Sequence, residues 1–178
     1  MSHPSAARES PPRPASPTEG IVVGMIGASV VALFFLGIDL VRGTPLLTPS
    51  ILGEVFVLRR PVAVTSSVDM TAVVAYTVVH LLAFGMFGLV LDGIRRRSEV
   101  SSLARYGMVA VFVAFELFFF GLLAIASEAT QGMFPSWSVL VANLLAATAM
   151  GGYLWRRHPA LRRAVGRAPL GAPDRARE

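Results

Sequence analysis

Ile21 to Ile38 is an unbroken run of eighteen residues without a charge. Extended to Val41, it reaches the roughly 20 residues that an α-helix needs to cross a bilayer core. A helix apolar on every face has no solvated side, so its surroundings must be protein or lipid. The pattern returns over about 71–91, 106–126 and 137–155. Only 15% of the residues are charged and the mean hydropathy is +0.63. Soluble domains carry about 25% charged residues. Soluble amphipathic helices would show polar stripes every three to four residues, and these segments show none.

A cleaved leader would end in a small-x-small site. The first run ends instead in Ile38-Asp39-Leu40-Val41-Arg42, so it reads as a retained span. Residues 1–19 hold five prolines and no large aliphatic side chain, the composition of a disordered tail. The loop from 42 to 70 contains Thr48-Pro49-Ser50 followed by an apolar stretch to Leu58. Thr48 suits an N-cap and Pro49 a first helical position, which predicts a short helix over 49–58. That helix is too short to span and is expected at the interface or tucked against the bundle. Trp137, Tyr153 and Trp155 mark the two ends of the last span. The expected fold is all-α: an antiparallel bundle of four transmembrane helices over 20–158, with a short interfacial helix in the first external loop. A disordered tail precedes it and a basic tail, 159–178, follows.

All sixteen basic residues are arginines, a bias typical of GC-rich bacterial genomes. Four spans place thirteen of them with the termini and the 92–105 loop, against Arg42, Arg59 and Arg60 on the other side. By the positive-inside rule both termini are expected in the cytoplasm, with the chain in a bacterial inner membrane. The juxtamembrane arginines are expected to meet anionic lipid headgroups rather than nucleic acid.

Cysteine is absent, which removes disulfides, thiol nucleophiles and thiolate metal sites. The three histidines are His3, His80 and His158, and only His80 falls inside a span. A membrane haem with two axial histidines, or a zinc hydrolase, is therefore disfavoured. No catalytic motif and no metal-ligand spacing is found, and no cofactor is predicted.

Ionisable groups at membrane depth cost about 2.5–3.5 kcal/mol on insertion scales, so those present mark a candidate site. His80 and Glu116 fall near the middle of spans two and three, roughly 14–15 Å below the outer boundary. Asn143, Tyr76 and Asp39 are shallower, at roughly 9, 8 and 3 Å. Tyr76 and His80, four apart, share one helix face. Spans two and three should be antiparallel neighbours, which predicts that His80 and Glu116 meet as a coupled pair. The five residues suggest a polar pocket open to the outside, its mouth made acidic by Glu54, Asp69 and Glu128. Such a pocket would serve a proton, a cation or a small ligand. The bland reading is interhelical polar contacts that pin the bundle. An accessory subunit of a larger membrane complex is the second function class, and a membrane-embedded enzyme the third.

Gly20, Gly24 and Ala28 recur every four residues on span one, Ala142, Ala146 and Met150 on span four, and Gly85 and Gly88 lie on span two. Small residues allow close helix approach, inside the bundle or in a homodimer. The Gly-rich first span ending in Asp39, the Thr44-Pro45…Thr48-Pro49 loop, the midspan His80 and Glu116, and the Arg-Arg-His-Pro exit at 156–159 carry a resemblance. Over residues 20–163 the chain resembles small four-span bacterial integral membrane proteins. That resemblance implies the fold and brings no activity with it.

Overall fold

The computed structural model describes residues 17–60, 67–98, 113–117, 121 and 135–159. Among these the secondary structure is helical. Helix α1 is Thr18–Val41, α2 is the short Leu47–Leu52, α3 is Met70–Ser98 and α4 is Ser136–Arg157. Three helices are long and apolar enough to cross a membrane: Thr18–Val41, Met70–Arg96 and Trp137–Arg157. The expected span over 106–126 falls mostly outside the described residues. Its described pieces, 113–117 and 121, are helical.

The outward surfaces fit a lipid solvent. Leu33, Leu82, Met86 and Leu144 are each more than half exposed, which in water would form apolar surface far beyond isolated exceptions. Inward faces are made of small residues and a few large ones. On α1, Gly20, Val23, Gly24, Gly27, Ala28 and Val31 are buried, a stripe at helical spacing. A Cβ at Gly24 would collide with the Phe84 carbonyl of α3, and one at Gly88 with the Gly20 carbonyl. The glycines thus let the two backbones touch, which shortens the helix separation and multiplies dispersion contacts. A Cβ added at Gly85 would itself meet open space, although the Gly85 backbone lies against Gly24; of that pair it is Gly88 whose missing Cβ the crossing requires. Ala28, Val31, Phe84, Ala142 and Ala146 form one buried cluster. Val23, Leu91, Met150 and Leu154 form a second.

The pairings set the helix directions. Along α1, Gly20 meets Leu89 and Gly24 meets Phe84, while Ala28 bonds His80, so α1 and α3 are antiparallel. Glu19 bonds His158 and Gly27 approaches Met150, so α1 and α4 are antiparallel as well. Hence α3 and α4 run parallel. The start of α1, the end of α3 and the end of α4 share one end of the bundle, the terminal end. Helix α2 lies at the opposite, loop end.

Local capping differs from the sequence expectation. Gly43, with φ +73°, turns the chain after α1, and Leu46, with φ +67°, precedes α2. The short helix therefore begins at Leu47, and Thr48 lies inside its first turn instead of capping it. A side chain from another helix takes over that task. The buried carboxylate of Asp39 accepts the Thr48 backbone N–H at 2.8 Å and its hydroxyl at 2.7 Å. After Leu52 the helix widens into one π-turn, Gly53–Val57. A Cβ at Gly53 would strike the Ala72 carbonyl, so α2 lies tight on the start of α3. Asp69 caps α3, accepting from Thr71 N–H at 2.7 Å and Ala72 N–H at 3.3 Å. Its own N–H donates to Ser50 Oγ at 2.9 Å, which ties α2 to that cap.

Candidate functional site

A cavity of about 740 Å³ lies between the helices towards the loop end. Its walls come from α1 (Val31, Phe35), from the α2 segment (Leu52, Phe56, Val57) and from one face of α3 (Val79, Ala83, Met86, Phe87). Phe115, Val139 and Asn143 complete it. Its polar lining is Thr48, Arg59, Tyr76, His80 and Asn143, so no carboxylate lines it among the described residues.

His80 is buried, with 8% of its surface exposed. Its Nε2 lies 3.1 Å from the Ala28 carbonyl. A carbonyl only accepts, so Nε2 carries the proton and Nδ1 keeps a lone pair. The small Ala28 is what lets the imidazole reach the backbone of α1. Tyr76, one turn earlier, stacks on the ring at a centroid distance of 5.6 Å, and Phe84, one turn later, sits at 4.8 Å. The three rings follow the i, i+4 rule down one face of α3. Phe115 continues the aromatic wall, edge-on to Phe84 at 5.8 Å and stacked on Phe87 at 4.0 Å.

The expected pairing of His80 with Glu116 does not occur. Glu116 bonds α4 instead: Asn143 Nδ2 donates to its Oε2 at 3.3 Å. Glu116 Oε1 is buried with no hydrogen-bond partner among the described residues. Matching depth is what led to the expected pair, and depth says nothing about rotation about the helix axis. The face of α3 carrying His80 turns towards α1. Tyr76, His80 and Asn143 thus line one cavity, with Glu116 behind Asn143. Asp39 stands apart, both its oxygens engaged by Thr48, and reaches the cavity only through that residue. Of the expected acidic mouth, Asp69 is occupied in capping α3 and in an ion pair with Arg60 at 3.5 Å. Glu54 lies on the π-turn, and Glu128 falls outside the described residues.

A second polar cluster lies at the terminal end, where the sequence leads one to expect arginines that set topology and meet lipid headgroups. Asp92 is buried on α3 and accepts from Arg95 Nε at 2.9 Å and Nη2 at 2.7 Å, and from Arg96 Nε at 2.9 Å. Arg95, also buried, lies 3.5 Å from Glu19 of α1. Its Nη1 donates to His158 Nδ1 at 3.2 Å, and His158 Nε2 donates to Glu19 Oε1 at 2.7 Å. Guanidinium only donates, so His158 is held as the Nε2–H tautomer. Two carboxylates and two guanidiniums balance, which is the condition for keeping them buried. The Asp92-Arg95-Arg96 part has a sequence signal, charges at i+3 and i+4. Glu19 and His158 are 139 residues apart and have none. His158 neighbours Arg95, fifteen residues and roughly 22 Å along α3 from His80, so the two histidines cannot share a metal.

No protein-family model, curated protein or solved structure matches this chain. What the fold and the site define is a class: a helical chain with, among the described residues, three helices able to cross a membrane and a largely apolar internal cavity.

Proposed function

We propose that the protein is a four-span bundle of the bacterial inner membrane, both termini cytoplasmic, whose outward-opening cavity binds a small ligand. The cavity carries this reading. At about 740 Å³ it falls in the range of roughly 300–1,000 Å³ typical of small-molecule sites. Apolar walls with a few placed polar groups are what such sites present. The lining speaks against a cation, because no carboxylate lines the cavity among the described residues: Glu116 stands behind Asn143, and Asp39 is engaged by Thr48. It also speaks for a binding protein over a purely structural accessory subunit, whose polar groups would be sealed by packing.

The parallel course of α3 and α4 supports the fourth crossing. Helix α3 finishes at the terminal end beside His158, while α4 starts at the loop end. The chain between those two points joins the terminal end to the loop end. The helical turn at 113–117, packed on Phe84 and Phe87, lies on that route.

The test is purification in mild detergent with mass spectrometry of co-purifying small molecules, beside Ala83→Trp, which fills the cavity from α3. A compound recovered with the native chain and lost from a folded Ala83→Trp supports the reading. Equal recovery from both sinks it. A co-purifying membrane chain indifferent to residue 83 would favour the accessory subunit.

A further inference from the structure

The cavity has a direction. Arg59, Thr48, Phe56 and Val57 surround it at the loop end, and Ala83, Met86, Phe87 and Phe115 line its deep part. On α3 its lining runs from Tyr76 to Phe87, eleven residues or roughly 16 Å. Half of a bilayer core of about 30 Å is nearly the same length. The cavity is thus as deep as the acyl layer of one leaflet. Val79 and Met86 belong to its wall and are also 47% and 68% exposed, so the wall is continuous with the outer surface of α3.

Polar capacity in the deep part is small and partly used. His80 gives its proton to the Ala28 carbonyl, and Asn143 donates to Glu116. What remains towards an occupant is mostly carbon. The mouth is different. Arg59 is the one charged residue lining the cavity among the described residues. Its neighbour Arg60 is paired with Asp69, whereas Arg59 has no hydrogen bond or ion pair among the described residues. Arg59 also has φ +52°, a left-handed backbone that β-carbon-bearing residues adopt at a cost. Such outliers persist where surrounding structure holds them, and they concentrate at ligand clamps.

We propose that the ligand is a single-chain amphiphile with an anionic headgroup, of the fatty-acid type, its headgroup at Arg59 and its chain along α3 towards Phe87. This rests on the reading of the cavity as a ligand site. The guanidinium would hold a carboxylate through charge-assisted, bidentate hydrogen bonds, with the Tyr76 hydroxyl as a further donor on the lining, since Thr48 already gives its own proton to Asp39. The chain replaces contact with lipid by contact with Val31, Val79, Ala83 and the aromatic wall.

The experiment uses the full chain in phosphatidylcholine nanodiscs. The probes are a diazirine-bearing long-chain fatty acid and the fatty alcohol of equal length, with labelled positions read by mass spectrometry. The acid should label Val79, Ala83, Met86 and Phe87, compete with unlabelled acid, and exceed the alcohol by about tenfold in apparent affinity. Arg59→Gln should abolish that preference, Arg59→Lys should keep part of it, and Arg42→Gln, the same charge change away from the cavity, should leave it intact. Equal labelling by acid and alcohol in the native chain overturns the anionic headgroup and leaves the cavity reading standing. Competition by a diacyl anionic phospholipid at the same concentration as the acid overturns the single-chain assignment. Labelling spread over Leu33 and Leu144 without competition means there is no site, and the cavity reading falls with it.

Discussion

At the residue scale, small side chains and buried polar groups decide most. Gly24 admits the Phe84 carbonyl where a Cβ would collide. Gly24→Ala should therefore destabilise the protein by about 1–3 kcal/mol, read as an earlier unfolding midpoint in detergent. Gly151→Ala, facing open space, should not. Asp39→Ala leaves the Thr48 N–H without its buried acceptor and should cost about 1–3 kcal/mol. If Asp39 instead formed part of the ligand site, its loss would change binding more than stability. The polar pairs inside the bundle give a third expectation. A double-mutant cycle between Glu116 and Asn143, with alanine at each, should show a coupling of about 0.6 kcal/mol, the scale of hydrogen bonds between membrane helices. The corresponding cycle between His80 and Glu116 should be additive, because the imidazole bonds Ala28 instead. Coupling in the second cycle and none in the first would reverse the assignment made from the geometry.

At the element scale, the terminal-end cluster joins the start of α1, the end of α3 and the end of α4. Arg95→Gln removes the guanidinium that touches Asp92, Glu19 and His158 together. Truncating one partner of a buried pair strands the other, at about 3–5 kcal/mol. Arg96 still faces Asp92, so the lower end, about 3 kcal/mol, is expected, again from the unfolding midpoint. A loss below about 1 kcal/mol would mark the cluster as a solvated surface network. The short helix was foreseen by its length and by Pro49, but its start was not. Sequence reasoning gave the cap to Thr48, since Thr is a good cap residue in isolation. The carboxylate that binds Thr48 instead stands nine residues earlier, at the end of a different helix, and only the turn at Gly43 brings it there. Likewise the Gly20-Gly24-Ala28 stripe and the Gly85-Gly88 pair were legible as packing surfaces, while their packing on each other was not.

At the scale of the whole molecule, helix direction follows from few contacts. Glu19, Arg95 and His158 meet, so the N-terminal start of α1 and the C-terminal end of α4 lie at one end of the bundle. Reporter fusions after residues 100 and 178 should both read cytoplasmic, and one near residue 65 external. A cytoplasmic signal at 65 would contradict the sidedness inferred from the arginines. The chain has no native cysteine, which permits a clean labelling test of α2. Cysteines replacing Leu47 and Leu58 should both react from the outside, and opposite sides would mean that the segment crosses.

The sequence by itself determined that this chain carries helices long and apolar enough to cross a membrane, three of them among the described residues. Those properties are sums over local composition: a run of eighteen uncharged residues has them whatever it packs against. It also named the intramembrane polar residues, because a buried polar group is costly wherever it faces. Tertiary structure alone decided which of them meet. Helical depth follows from residue number at about 1.5 Å per step, but azimuth depends on how glycines let α1 sink against α3. That rotation sends His80 to Ala28, leaves Glu116 to Asn143, and opens the cavity between them, since side-chain pairing is set by the packing of whole helices and not by the spacing within one.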